Sequence, residues 1–130
     1  MSLKGSEVAI YSERIKYLFD YTMANGKYAR SSLALDTYKA LTPNASQEKL
    51  VSAAKVCSSI ELMQTFYLII DDIMDDAKLR RGKPCWHTLP GIGLNAINDG
   101  LLLDCSIDWV IREAIPQHPH QATILQTLYE

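Results

Sequence analysis

Three observations predict an all-α fold. Apolar residues recur at the 3.6-residue period, turn-forming residues punctuate the chain between those runs, and no stretch of useful length alternates as a strand does. At 130 residues, 48% of them hydrophobic and 22% charged, the sequence suits one compact domain with a modest core.

The first predicted helix spans Glu7 to Met23, with Val8, Tyr11, Ile15, Leu18, Phe19 and Thr22 on its inward face. Asn25-Gly26 ends it, a pair that tolerates positive φ. A second helix starts near Ser31 or Ser32 and turns Leu35, Tyr38 and Leu41 inward, until Thr42-Pro43-Asn44 breaks it. Asn44, with Gln47 three residues on, or else Ser46, caps the next. That helix is long, running from about Gln47 to Ala77, or about 45 Å at the usual rise per residue. It opens amphipathic, with Leu50, Ala53, Ala54, Cys57 and Ile60 on one side. From Leu62 to Met74 it is apolar nearly all round, the signature of a helix buried among others. The polar exceptions there are Glu61, Gln64, Thr65 and the aspartates. Lys78 to Asn95 reads as a loop rich in glycine and proline. A further helix covers Ala96 to Ile115, with Ile97, Leu101, Cys105, Trp109 and Arg112 at helical steps. Pro116 to Pro119 interrupts the chain, and a last helix begins near His120.

A net charge of −2 predicts no attraction to nucleic acid or to an anionic membrane surface. The longest apolar run, Phe66 to Ile70, falls far short of a membrane span. Met1 to Glu7 carries no apolar signal-peptide core, and no Arg-rich, acid-poor leader is present, so a cytoplasmic setting is expected. Cys57, Cys85 and Cys105 lack the CxxC spacing of a zinc or redox site and are expected as reduced thiols. Cys57 and Cys105 also suit small apolar packing positions. His118 and His120, flanked by prolines, are expected in solvent.

The charges that stand out are local. Asp71, Asp72, Asp75 and Asp76 fall at the end of the apolar helix, and four of the six residues from Lys78 to Lys83 are basic. Asp71 and Asp75 are i and i+4, so both carboxylates leave one face, about 6 Å apart along the axis. Four negative charges at the negative end of the helix dipole repel one another unless a cation offsets them. Oxygen-only ligands facing open space suit Mg²⁺, which keeps several waters and shares its shell with substrate phosphates. The alternative is a solvated helix end trimmed with acids. Arg80-Arg81-Gly82-Lys83 favours the metal reading, because guanidinium forks take phosphate oxygens bidentately and glycine lets the backbone approach. Carboxylates that hold Mg²⁺ beside arginines that hold phosphate make a two-part clamp for a diphosphate. A basic turn that merely salt-bridges the acids is the competing account. Phe66 and Tyr67, one turn before Asp71, suggest an apolar floor below that charged mouth. Periodicity alone would make them core.

The run from Gln64 through Asp71-Asp72-Ile-Met-Asp75 to Arg80-Arg-Gly-Lys-Pro-Cys-Trp86 resembles the first aspartate-rich motif (DDxxD) of isoprenyl diphosphate synthases of the farnesyl type, with their trailing RRGxPCW segment. Ala96-Ile-Asn-Asp99 is similar to the start of that family's next helix, and Asn25-Gly-Lys-Tyr-Ala-Arg30-Ser31 to its GGKxxRG segment. The likeness covers the chain from about Arg14 onward. It implies a partial isoprenoid-synthase-type helical bundle, with residues 1–130 a single, truncated synthase domain.

The resemblance also implies roles. Asp71 and Asp75 would coordinate Mg²⁺ bridging to an allylic diphosphate (dimethylallyl or geranyl), with Asp72 in support. Arg80 would bind that diphosphate. Lys27, Arg30 and Arg81 would hold isopentenyl diphosphate, with Gln64 nearby. The reaction implied is head-to-tail condensation of the two substrates, giving geranyl or farnesyl diphosphate. Phe66 and Tyr67 occupy the positions whose bulk limits product length in this family, which favours ten or fifteen carbons.

Some positions depart from the pattern. Asn25 replaces the first glycine, and Ala29 and Ser31 replace the usual asparagine and glycine, which puts isopentenyl diphosphate binding in question. His87 stands where tyrosine is common, next to the arginines, and reads as a conservative exchange. The family's second aspartate-rich motif has no counterpart in these residues, so the 130 residues alone are expected to catalyse little. Two readings stay open: part of a short-chain prenyltransferase, or a non-catalytic partner of a full-length synthase. The family implies a homodimer, and pairing with a full-length subunit is the alternative assembly. A terpene cyclase with a similar aspartate motif fits less well, because RRGxPCW, Lys27 and Arg30 belong to the synthases.

Overall fold

The computed structural model describes residues 5–24 and 26–130, with the side chains of residues 5–8 left aside. Among the described residues five helices carry the fold: α1 (Gly5–Thr22), α2 (Ala29–Leu41), α3 (Gln47–Met74), α4 (Asn95–Ala114) and α5 (Gln121–Tyr129). Between α3 and α4 lie two short strands, β1 (Leu79–Arg80) and β2 (Lys83–Pro84), and a 3-10 turn at Trp86–Thr88. The all-α expectation holds. The loop expected from Lys78 to Asn95 is more ordered than its composition suggested, and Asn25 lies outside the described residues.

Helix α3 is the hub, packed against α4 on one side and α2 on the other. Ser46 caps it, its Oγ accepting from Lys49 N–H at 3.3 Å, which settles the choice between Asn44 and Ser46. The helix stops at Met74, three residues before the expected end. Asp76 adopts φ 49°, Asp76 N–H reaches Ile73 O at 3.3 Å and Ala77 N–H reaches Asp72 O at 2.9 Å. These are the two bonds of a Schellman turn, and aspartate is among the few non-glycine residues that tolerate its left-handed position. By length and composition α3 could also cross a membrane. Its packing between α2 and α4, and the carboxylates at its end, are those of a central helix in a bundle.

Expectations about the inward faces of four helices need correction. Leu62, Thr65, Ile69 and Asp72 are buried, but Tyr67 and Met74 are exposed, so α3 is covered along one stripe rather than all round. On α4 the buried face is Ala96, Asp99, Gly100, Leu103, Ile107, Ile111 and Ala114. The stripe through Ile97, Leu101, Cys105 and Trp109 faces outward. Both stripes satisfy the helical period, and only the first meets α3. Helix α2 buries nothing fully, and Leu41 is exposed. Cys85 is the cysteine that packs in the interior, whereas Cys105 is exposed and all three thiols are free.

Helices α3 and α4 approach closely at Gly100. A Cβ there would sit 3.3 Å from the Phe66 ring and within 4 Å of Ile69 and Ile70, so glycine lets the two helices meet. Helix α1 joins this core through Leu18, which is fully buried, while Tyr11 and Ile15 on the face expected to point inward remain exposed.

Candidate active site

The Schellman turn fixes where the acids sit. Asp71 lies in the last turn of α3, Asp75 is its C-cap, and both are exposed; Asp72 is buried. After the turn the chain doubles back as a hairpin, with Arg80 paired to Lys83 and Leu79 to Pro84. Its two-residue tip, Arg81-Gly82, has φ 54° and 79°. Positive φ at both positions is what a type I′ turn demands. Glycine adopts it freely, and a non-glycine residue there is held against its preference.

The hairpin returns Arg80 to the acids. Its Nε donates to Asp72 Oδ1 at 2.7 Å and its Nη2 to Asp71 Oδ2 at 2.8 Å. Desolvation works against the Arg80 charge, but the bonds to Asp72 and Asp71 outweigh it and raise its pKa above the ordinary value. Beside Asp72, the Cys85 thiol is pushed up to about 11, first by burial and then by its hydrogen bond to Asp72 and that residue's charge. It is a neutral, inert thiol at physiological pH. Asp76 pairs with Lys78, whose hydrogen bond and charge hold its carboxyl below the usual range.

Arg81 lines a pocket with Arg80, Asp72 and Trp86 and also reaches the turn before α2. A Cβ on Gly26 would lie 3.5 Å from Arg81 Nη1 and 3.4 Å from the Tyr28 ring. Gly26, Tyr28, Glu61, Gln64 and Arg81 line one small cleft between α3 and the turn before α2. Lys27 and Arg30 flank it with exposed side chains and make no ion pair among the described residues. Five of the expected residues therefore divide into two groups, Asp71, Asp72 and Arg80 on one side and Gln64 and Arg81 on the other. Asp75, Lys27 and Arg30 border these groups. Phe66 packs on α4 at Gly100 and against the Tyr67 ring, with centroids 5.1 Å apart, while Tyr67 itself is exposed. His118 and His120 lie in solvent, as expected.

The sequence reading missed the buried support for the hairpin. Asp99 accepts from Arg14 Nε at 3.1 Å, Arg14 Nη2 at 2.7 Å and Trp86 Nε1 at 2.8 Å. One carboxylate thereby ties α1, α4 and the segment after β2 together. Tyr17 and Tyr21 pack on the Trp86 ring, and Tyr21 O–H donates to Pro84 O at 2.8 Å. The available signal was Asp99 as a lone acid among Ala96, Gly100 and Leu103, and Arg14 one turn before Leu18. The two ring nitrogens of His87 are buried with no hydrogen-bond partner among the described residues.

Among the described residues, no cluster of three or more acidic, histidine or cysteine side chains converges on one point. Asp71 and Asp75 offer two carboxylates toward open space. A hard cation that completes its shell with water and phosphate oxygens fits this donor set, and a cation needing an all-protein cage does not.

A helical bundle with an acid-capped central helix and an arginine hairpin folded against it defines a wall of an isoprenoid-synthase-type fold. The family profile described as polyprenyl synthetase matches residues 12–130, and the chain belongs to that family. It is 39% identical to farnesyl pyrophosphate synthase of Rattus norvegicus over 115 residues, which is 87% of this chain and 33% of that protein. To the enzyme of the same name from Zea mays it is 36% identical over 118 residues, 89% of this chain and 34% of that one. With that of Gallus gallus the figure is 36% over 130 residues, 95% and 35%. The chain thus spans about a third of the length of these relatives.

Proposed function

We propose that these residues form the first diphosphate-binding wall of a short-chain prenyltransferase that condenses isopentenyl diphosphate with dimethylallyl or geranyl diphosphate. The observation that carries this reading is the divergence of two consecutive arginines. Arg80 turns to Asp71 and Asp72, and Arg81 turns to Gly26 in the Gln64 cleft. One hairpin thereby offers one guanidinium to the Asp71–Asp72 carboxylates and the other to the Gln64 cleft, while both line a pocket they share with Asp72 and Trp86, as a reaction between two adjoining diphosphates requires.

In this reading Asp71 and Asp75 hold Mg²⁺, and Asp72 fixes Arg80 rather than binding metal. When bound, the metal would neutralise the departing diphosphate of the allylic substrate. Arg80 binds that diphosphate and adds positive charge where negative charge develops. Arg81, Lys27, Arg30 and Gln64 hold the second diphosphate so that its double bond meets the allylic carbon. Phe66, fixed against Gly100, and Tyr67 beside it restrict the hydrocarbon tail, which favours ten or fifteen carbons. Three free thiols are compatible with a cytoplasmic setting.

A second reading, a non-catalytic partner, draws support from the exposed apolar stripe of Ile97, Leu101 and Trp109 on α4. A homodimer or a pairing with a full-length synthase would cover it.

The test is direct. With Mg²⁺ present, calorimetry should detect binding of dimethylallyl and isopentenyl diphosphates to the 130-residue protein, while diphosphate release stays near background. Absence of binding would falsify the diphosphate reading. Co-purification with a full-length synthase and no binding of either substrate would establish the partner instead.

A further inference from the structure

Helix α2 is not capped by the side chain of its own N-cap residue. Tyr28, which precedes it, sits at φ 47° and ψ 30° and makes no side-chain capping bond. Its hydroxyl donates instead to Met23 O at 2.6 Å. The acceptor for the first turn comes from another helix. Ser31 N–H donates to Glu61 Oε1 at 3.1 Å. Ser31 Oγ lies 2.8 Å from the same oxygen and 3.0 Å from Tyr28 O, so its one proton is shared between two acceptors. Open N–H groups at a helix start need an acceptor, and the dipole there favours negative charge. Glu61, on α3, meets both needs.

Glu61 also lines the cleft that contains Gln64 and Arg81. A carboxylate in a cleft built for an anion should weaken binding by repulsion. Its engagement with α2 directs the charge to the helix start and fixes the turn that carries Lys27 and Arg30.

We propose that Glu61 is a positioning residue for this cleft: by capping α2 from α3 it holds the Lys27–Arg30 turn against Arg81 and Gln64. The proposal rests on reading the cleft as a diphosphate subsite. It predicts the opposite sign from simple electrostatics, because removing a negative charge should then weaken binding of an anion.

The experiment titrates isopentenyl diphosphate into the 130-residue protein and its variants. Glu61→Ala should bind about tenfold more weakly, the equivalent of about 1.4 kcal/mol. Glu61→Gln keeps the accepting oxygen without the charge and should restore affinity to near the parent's. Ser31→Ala, which loses only the hydroxyl, should fall about threefold, and it carries the test if Glu61→Ala does not fold. Mg²⁺-dependent binding of dimethylallyl diphosphate, on the Arg80 side of the hairpin, should match the parent in Glu61→Ala. Amide exchange at Ser31 should quicken in that variant without ligand. Tighter or unchanged isopentenyl diphosphate binding in Glu61→Ala, whatever the exchange result, overturns the proposal, as does equal loss at both sites. A parent protein that binds no isopentenyl diphosphate sinks the subsite reading first, and the proposal falls with it.

Discussion

Arg80 Nε donates to Asp72 Oδ1 at 2.7 Å, tying the hairpin to α3 eight positions earlier. Asp72 is buried, and this guanidinium is the cation that offsets its charge. Removing one partner of such a pair strands the other. Asp72→Asn is therefore expected to cost about 2 kcal/mol, less than a fully buried pair because Arg80 is partly solvated. Asp75→Asn, at the exposed cap, should change stability by no more than about 0.5 kcal/mol. Urea unfolding of both variants measures the difference, and equal effects would contradict the division of labour among the aspartates.

Asp71→Asn and Asp75→Asn should each remove the Mg²⁺ dependence of dimethylallyl diphosphate binding. Neither should lower stability much, because each relieves repulsion at the negative end of α3. Calorimetry with and without Mg²⁺ provides the measurement. A variant that keeps the full metal dependence would take that carboxylate out of the metal site.

The fold was legible because helical periodicity and breaks act locally. Ser46, Thr42-Pro43 and Pro116 each begin or end a helix through chemistry local to the residue itself. What could not be read was which of two apolar stripes on α4 faces α3. Ile97, Leu101 and Trp109 satisfy the period as well as Leu103, Ile107 and Ile111 do. Gly100 marks the buried side, but only as the place where Phe66 must fit. The candidate site was legible as a composition, since the residue types at Asp71, Asp75, Arg80 and Arg81 suggest a chemistry by themselves. Its supports were not. The bonds of Asp99 to Arg14 and Trp86, and of Glu61 to Ser31, join residues far apart in sequence, and periodicity carries no signal for such pairs.

Cys85 gives the site a marker at alkaline pH. Its folded-state pKa of about 11 lies above the ordinary thiol value, so the folded protein holds this proton more tightly than the unfolded chain. The associated stability is fully present below the ordinary value near 9 and is lost as pH rises toward 11. The melting temperature should fall across that window, and Cys85→Ala should flatten the slope there. An unchanged slope would show that Cys85 titrates no differently when folded.

Arg81 is expected to trade stability for binding. It occupies the first position of a turn whose residues both have positive φ, where asparagine followed by glycine is the favoured pair. Arginine there is held in a left-handed conformation that costs about 1 kcal/mol. Arg81→Asn should therefore raise stability by about 0.5–1 kcal/mol, since asparagine tolerates that conformation. The same change removes the guanidinium that lies against Gly26, and isopentenyl diphosphate affinity should fall at least about tenfold, as expected for losing a charged hydrogen-bonding partner. Arg81→Lys separates the two effects, because it keeps the charge and the strain but loses the fork; its stability should match the parent's while affinity falls by less. Thermal melting and calorimetry on the three proteins supply both axes. If Arg81→Asn lost stability and affinity together, the arginine would be a structural residue of the hairpin, and the strain at its tip would have no functional cause.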